Sequence, residues 1–225
     1  MACETCGDMG RVRSPEGSYR DCVCVVRRRA EERAREMRRM SGIPDEVFSR
    51  LTFASFHPEQ AVRARTDVAA IKGVCEAYAE QPAGWLVLMG PVGVGKSHLA
   101  YAIAGEALRR GTPVFAANVS AMLAMIRQGY GDGQQLTAEQ RMERLRGVEL
   151  LVMDDWGMER ATDWADETLF GVLDTRYLTQ RPTVVTTNLP LLALANKGDR
   201  LASRLTDRRL SQVLVLNAGD YRQVG

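Results

Sequence analysis

The stretch WLVLMGPVGVGKSHLA, residues 85–100, decides the fold, because it joins an apolar run to a glycine-rich loop and then to a helix-like segment. Its loop matches GxxxxGK[ST] at every fixed position, in the strand-then-helix context that this phosphate-binding motif needs. Glycines let backbone amides approach phosphates, and the following helix directs its positive end at them. We expect Lys96 to neutralise β and γ phosphate charge and the Ser97 hydroxyl to ligate magnesium. The predicted ATP site comprises Gly90, Pro91, Val92, Gly93, Val94, Gly95, Lys96, Ser97 and His98.

Four further apolar runs alternate with amphipathic, helix-like segments along the chain. Runs of this length bounded by turn residues are typical of buried parallel strands. Alternation of such strands with helices predicts an α/β domain of three layers. The five predicted strands are WLVLM (85–89), PVFAANV (113–119), ELLVMD (149–154), TVVTTN (183–188) and QVLVLN (212–217).

Polar side chains follow two of these runs. Asp154 and Asp155 end the apolar run LLVMDD, and Asn188 ends TVVTTN. We expect Asp154 to hold hydrated magnesium and Asp155 to polarise the attacking water. Because an aspartate is shorter than the glutamate common at the second place, hydrolysis is expected to be slow. Asn188 would hydrogen-bond the water or the γ phosphate, or alternatively serve as a turn residue before Leu189 and Pro190.

Composition and charge limit the remaining possibilities. The chain has 225 residues, 45% of them apolar, and a formal net charge of only +2. This length suits one compact domain with a small appendage, and any basic surface must be local. The first ten residues carry Cys, Glu and Asp where a secretory signal needs an apolar run. No membrane span is expected, and the protein is predicted to be soluble and cytoplasmic.

Four cysteines near the start form two close pairs, Cys3 with Cys6 and Cys22 with Cys24. Tetrahedral zinc needs four such ligands, and so short a segment has no core of its own. We predict a zinc module at residues 1–26, with free thiols or redox use as alternatives. A basic helical linker is expected at 27–44 and the main domain at 45–225, while Cys75 is expected to be a core residue.

The motifs together resemble a known family. DDWGMERATDWADETLFGVLDTRYLTQRPTVVTTNLP (154–190), GDRLASRLTDRRL (198–210) and LNAGDYR (216–222) are similar to AAA+ ATPases of the DnaC/DnaI helicase-loader and IstB transposition-helper group. The resemblance covers roughly residues 50–225. It implies an ASCE P-loop sheet of strand order 5-1-4-3-2, ATP bound between protomers, and work on single-stranded DNA. Only nine residues follow QVLVL, so little or no helical lid is expected.

The resemblance also implies roles for single residues. Asn188 is similar to sensor 1, Arg204 to an arginine finger that enters a neighbour's site, and Arg222 to a sensor 2 arginine. Arg200 would lie one helical turn before Arg204, on the same face. An arginine supplied in trans stabilises transition-state charge, so such a site is active only after self-assembly. An ordinary solvated helix is the alternative, and it is preferred for Arg208 and Arg209.

Two helix-like stretches, 119–135 and 137–146, resemble the insertion that DNA-handling members of this group direct at their central channel. The candidate DNA contacts there are Arg127, Tyr130, Arg141 and Arg144. The alternative is a pair of amphipathic surface helices with their usual arginines.

Three functions fit these features. An ATP-dependent helicase loader would bind a replicative DNA helicase through its zinc module and help to place it on single-stranded DNA during replication initiation. A transposition helper would deliver a transposase to target DNA with the same ATPase core. A zinc adaptor that binds ATP without using turnover is the third, and a purely structural zinc module also stays open.

Overall fold

The computed structural model describes residues 3–13, 17–60, 64–129, 136–157, 162–190 and 199–219, without the side chains of residues 30, 33, 199 and 200. The chain divides into two compact units, Met1–Met40 and Ser41–Gly225. The division predicted from the sequence placed boundaries after residues 26 and 44, and it stays a prediction. No helix in the described ranges is long and apolar enough to cross a membrane.

The first unit is a hairpin followed by one helix. Strands β1 (Arg11–Arg13) and β2 (Tyr19–Asp21) pair antiparallel, with Val12 opposite Arg20. Helix α1 (Val23–Met40) begins two residues after β2 ends. A hairpin therefore lies between the two cysteine pairs, and the basic helix starts at Val23, four residues before the predicted linker.

The second unit is built on five parallel strands, β3 (Trp85–Met89), β4 (Val114–Asn118), β5 (Leu150–Trp156), β6 (Thr183–Thr187) and β7 (Ser211–Val215). Their spatial order is β4-β5-β6-β3-β7. Counted along the sheet strands alone, this is the expected order 5-1-4-3-2. Strands β3 and β6 are buried along their whole length, which explains why their sequences are nearly uninterrupted apolar or threonine runs.

Helices connect these strands and cover the sheet. They are α2 (Asp45–Arg50), α3 (Val68–Glu80), α4 (Lys96–Arg109), α5 (Val119–Gln128), α6 (Ala138–Gly147), α7 (Asp163–Leu178) and α8 (Asp199–Leu205). Several begin at a polar side chain that satisfies a free backbone N–H of the first turn. The caps are Asp67, Asn118, Thr137 and Thr162.

One buried arginine joins the helices to the sheet. Arg176 on α7 is fully buried, and its guanidinium donates to the Thr183 hydroxyl at 2.9 Å and to the carbonyls of Leu145, Val148 and Pro182. Burial lowers its pKa to about 9, which still leaves it charged at neutral pH. The arginine therefore supplies donors to carbonyls at the C-terminal end of α6 and just before β6.

Candidate functional site

The glycine-rich loop between β3 and α4 depends on its glycines. Gly90, Gly93 and Gly95 all have positive φ, at 151°, 82° and 93°. A Cβ on Gly90 would lie 2.0 Å from the carbonyl oxygen of Leu216, and one on Gly95 would lie 2.6 Å from the Phe56 ring. The backbone at these places is thus closely surrounded, and only glycine fits without displacement.

A cavity of about 580 Å³ opens over this loop. Its lining brings together most of the predicted site, because the carboxyl ends of parallel strands meet at one edge of the sheet. Arg50 and Leu51, at the end of α2, also line it and were not anticipated from the sequence. The predicted residues that line it are Val92, Gly93, Gly95, Lys96, Ser97, His98, Asp155 and Asn188.

Asp154 lies beside this cavity, two residues before the end of β5, and is 5% exposed. Its Oδ1 accepts from the Thr186 hydroxyl at 2.7 Å, and it also accepts from the Ser97 hydroxyl. Burial raises the pKa of Asp154 above its usual range, with a smaller rise from the charge of Asp155, while these two hydrogen bonds offset part of the rise. A serine hydroxyl and a carboxylate that already meet form a donor set that suits magnesium.

Asp155 stands in an irregular part of the strand. The register between β5 and β6 shifts between Met153 and Trp156, and Asp155 has a φ of 56°, which is rare for a residue with a side chain. Its backbone N–H donates to Thr186 Oγ1 at 2.9 Å, and its Oδ2 accepts from Asn118 Nδ2 at 3.4 Å. This kink turns the Asp155 side chain to the cavity while Asp154 stays buried.

Two polar groups of the site are arranged so that a nucleotide could bind to them. One would exchange its present hydrogen-bond partner for the nucleotide, and the other has no partner among the described residues. Lys96 is 4% exposed, and its ammonium donates to the carbonyl of Pro91 in the same loop at 2.7 Å. The Oδ1 atom of Asn188 is buried without a hydrogen-bond partner among the described residues. A buried acceptor that lacks a donor is costly, so this atom suits a ligand or a water that donates to it.

His98 ties the segment before the sheet to the helix after the loop. Its Nε2 lies 2.8 Å from the carbonyl oxygen of Thr52, which requires the nitrogen to carry the proton and donate. The Phe56 ring meets the imidazole edge-on at 5.2 Å. Burial lowers the pKa of His98. His98 therefore lines the cavity as a neutral side chain with its Nε2 already used.

The four predicted zinc ligands are close together in the first unit. The sulfur atoms of Cys3, Cys6, Cys22 and Cys24 all lie within 4.8 Å of one another. The sulfur of Cys6 lies 3.6 Å from that of Cys24, and the sulfur of Cys3 lies 3.8 Å from that of Cys22. Zinc–sulfur bonds of about 2.3 Å in a tetrahedron require sulfur separations of about 3.8 Å, so the cluster fits this metal.

Backbone groups support this arrangement. The N–H of Gly10 donates to the sulfur of Cys6 at 3.4 Å, and hydrogen bonds from the backbone of Cys6 and Thr5 lower the pKa of Cys3 to about 6. A hydrogen bond with Cys6 raises the pKa of Cys24 to about 12, so metal binding would have to release protons from part of the cluster. Cys75, by contrast, is fully buried in α3 as expected, and burial raises its pKa to about 12.

Arg204, the predicted arginine finger, contacts its own chain. It forms an ion pair with Asp174 on α7, and its guanidinium lies over the rings of Phe170 and Tyr177 at 4.8 and 5.3 Å. The side chain of Arg200 and all of Arg222 lie outside the described residues. The roles predicted for these three arginines stay predictions.

The candidate DNA contacts are also used within the chain. Arg127 lies over the Trp164 ring at 4.5 Å, and Arg141 donates to the carbonyl of Met125 at 2.9 Å, near the end of α5. Arg144 lies 5.8 Å from the Phe115 ring, and burial lowers its pKa. Tyr130 lies outside the described residues. The three arginines thus have contacts within the chain, Arg127 is also exposed, and the role predicted for them in DNA binding stays a prediction.

Three polar residues of the site were missed from the sequence, namely Thr186, Asn118 and Arg50. Thr186 sits inside TVVTTN, where it is indistinguishable from any other strand threonine. Asn118 precedes Val-Ser at the end of a strand, which is a usable N-cap pattern, and its side chain accepts from the N–H of Ser120 at 2.9 Å.

Comparison with known proteins assigns the chain to a family. The family model described as IstB-like ATP binding protein matches residues 11–223. A relative from Sinorhizobium fredii that is named an insertion sequence ATP-binding protein is 38% identical over 109 residues, which cover 48% of this chain and 42% of that one. The replicative helicase loader DnaC of Buchnera aphidicola is 26% identical over 199 residues, covering 86% of this chain and 78% of the loader.

Two solved structures share the fold. The chain superposes on the DnaC helicase loader with a TM-score of 0.65 and 20% identity, covering 77% of this chain and 100% of the loader. The corresponding values for DnaI are 0.62, 23%, 80% and 94%. These likenesses confirm the AAA+ P-loop architecture that the sequence predicted. The matched segment spans less than half the length of the Sinorhizobium relative.

Proposed function

Because the chain belongs to the IstB-like ATP-binding protein family, we propose that it is a slow, assembly-dependent ATPase that helps to place a replicative helicase on single-stranded DNA. The proposed ATPase activity is supported by one observation. The glycine-rich loop, Asp155 and Asn188 line a single cavity, beside the buried Asp154. The partner is supported by the similarity to the Buchnera loader across 86% of this chain.

In this proposal the loop amides and Lys96 bind the phosphates, and Lys96 leaves the Pro91 carbonyl to do so. Ser97 and Asp154 would hold magnesium, which would neutralise charge on the phosphates as it does in other phosphoryl-transfer sites. Asp155, kept in place by its backbone bond to Thr186, accepts a hydrogen bond from the attacking water. Asn188 contributes its buried Oδ1 as a second acceptor for that water.

The zinc module is the proposed site of partner binding. Its four sulfurs fit zinc, and metal binding would supply the folding free energy that so small a unit lacks, on the order of 10 kcal/mol. Self-assembly through Arg204 would complete each ATP site, and single-stranded DNA would contact the assembled protomers. A module that only stabilises the chain is the alternative, and it predicts partner binding that survives loss of the metal.

A transposition helper is a second candidate, and the 38% identity to an insertion sequence ATP-binding protein favours it. Both candidates use the same ATPase core, so only the partner distinguishes them. A non-catalytic adaptor predicts that partner delivery continues in an Asp154→Asn variant whose hydrolysis is abolished.

The deciding experiment is light scattering on a gel-filtration column with the protein, ATP and the replicative helicase of the same host. We expect a stable complex that disappears when the double variant Cys22→Ser/Cys24→Ser replaces the protein. A helicase that elutes alone in both runs would reject the loader function. The same experiment with the transposase of a neighbouring mobile element would then test the second candidate.

A further inference from the structure

We propose that Asp174 is a positioning residue, which fixes the guanidinium of Arg204 in the orientation that a neighbouring protomer's ATP phosphates would meet. The inference rests on the proposed function, in which Arg204 completes the site of a neighbour. Asp174 touches neither nucleotide nor water in this scheme, and it acts only through the arginine.

One face of α7 forms a cradle for this guanidinium. Phe170, Asp174 and Tyr177 are spaced by four and three residues, so they share a face of the helix. The carboxylate of Asp174 pairs with the Nη2 atom of Arg204, and the two rings lie 4.8 and 5.3 Å from its guanidinium carbon. Rings within about 6 Å attract a cation through their faces, so the carboxylate and both rings act together to hold the arginine.

Both the α7 residues that contact Arg204 and the helix that carries Arg204 are anchored to the rest of the protein. The Tyr177 hydroxyl donates to Asp207 Oδ2 at 2.5 Å, and its ring meets the buried Trp85 edge-on at 6.0 Å. The helix that carries Arg204 is anchored by its apolar side chains, of which Leu201 and Leu205 are buried in the main core. Neither the backbone of the arginine nor the rings around it can shift without disturbing the core.

The held guanidinium still reaches the surface. The side chain of Arg204 is 20% exposed and that of Asp174 is 30% exposed. Both side chains are mostly shielded from water, so the ion pair keeps the guanidinium in one orientation. A fixed donor that still reaches the surface suits a role in trans, because charge that develops in a transition state is stabilised best by donors that need no reorganisation.

The competing explanation is that Asp174 only stabilises the protomer. It predicts that Asp174→Asn harms whichever protomer carries it. Positioning in trans predicts a directional effect, in which only the protomer that donates the arginine is sensitive. Mixtures of two variants separate these outcomes, because donor and acceptor can be altered independently.

The protomer that donates its arginine is the Asp154→Asn variant, which keeps Arg204 but has lost its own hydrolysis; we call it the donor. The protomer that receives the arginine is the Arg204→Ala variant, which keeps its ATP site; we call it the acceptor. Their equimolar mixture should hydrolyse ATP faster than either protein alone. Adding Asp174→Asn to the donor should lower the kcat of the mixture by about 10-fold to 100-fold with KM unchanged. Adding it to the acceptor should change neither value, since that protomer has no arginine to position.

Asp174→Glu in the donor should restore part of the lost activity, because the carboxylate is kept. Equal losses from either placement, or no loss from either, would overturn the positioning role. A parent mixture that is no faster than its components would instead show that no arginine acts in trans. That result rejects the assembly-dependent site of the proposed function, and the present inference with it.

Discussion

The hydroxyl of Thr186 joins the two acids of the site: it donates to Asp154 Oδ1 at 2.7 Å and accepts from the backbone N–H of Asp155 at 2.9 Å. One side chain on β6 thus fixes both the buried carboxylate and the kinked backbone of its neighbour on β5. Since Asp155 has a φ of 56°, the hydrogen bond holds a conformation that the residue would otherwise leave.

Thr186→Val should therefore slow hydrolysis. The substitution keeps the shape of the side chain but removes a hydrogen bond to a carboxylate, worth about 1.5–3 kcal/mol. We expect kcat to fall by about 10-fold or more, with nucleotide affinity changed much less, as measured by phosphate release and equilibrium binding. Thr183→Val, at the opposite end of β6, is the matched control, and it should cost stability without lowering kcat per folded protein. Similar kcat values for the two variants would contradict the role of Thr186.

Removal of zinc should unfold the first unit and leave the second intact. Purified protein should contain one zinc per chain, and chelation should reduce the helical circular dichroism that α1 contributes. ATP binding should persist, because the cavity is formed wholly by residues of the second unit. Cys75→Ala is the control, and its zinc content should match that of the unaltered protein. Loss of ATP binding on chelation would show that the two units do not fold independently.

The sheet could be predicted from the sequence because a strand that is buried on both faces has a continuous apolar sequence. Trp85–Met89 is buried at every position, so it appears as an unbroken apolar run between turn residues. The glycine-rich loop was equally clear, because its motif occupies eight consecutive residues directly after the apolar run. Features set by neighbours within a few residues are the ones that a single sequence reveals.

Features set by distant neighbours were not predictable in the same way. Arg50 lines the cavity from a helix that lies some forty residues before the loop, and nothing in DEVFSR indicates that destination. The contacts of Arg127 with Trp164 and of Arg141 with Met125 could not be read from the sequence, whereas their role in DNA binding stays a prediction. A sequence shows which helix residues are charged, but the tertiary packing determines which groups those side chains contact.

Two glycine substitutions should act in opposite directions. Gly90→Ala would place its methyl group 2.0 Å from the carbonyl oxygen of Leu216. The backbone N–H of Leu216 donates to the carbonyl of Met89, so the backbone at Leu216 has little room to move. We expect a loss of about 2–3 kcal/mol in the free energy of unfolding, together with weaker ATP binding. Gly73→Ala, inside α3 with nothing within 4 Å, should gain about 0.5–1 kcal/mol. Urea denaturation of both variants measures this, and a Gly90→Ala protein as stable as the unaltered one would show that the loop is free to shift.

His98 should make the second unit sensitive to mild acid. Burial lowers its pKa in the folded protein, whereas in the unfolded chain it titrates near about 6.5. The unfolded state therefore binds the proton more readily, so stability is lost as the pH falls below about 6.5, and the loss is complete below the folded pKa. His98→Gln should reduce this loss, because an amide still donates to the Thr52 carbonyl but cannot be charged. Melting temperatures at pH 7.5 and 5.5 measure the difference, with exposed His57→Gln as the control that should retain it. An equal fall in all three proteins would place the acid sensitivity elsewhere.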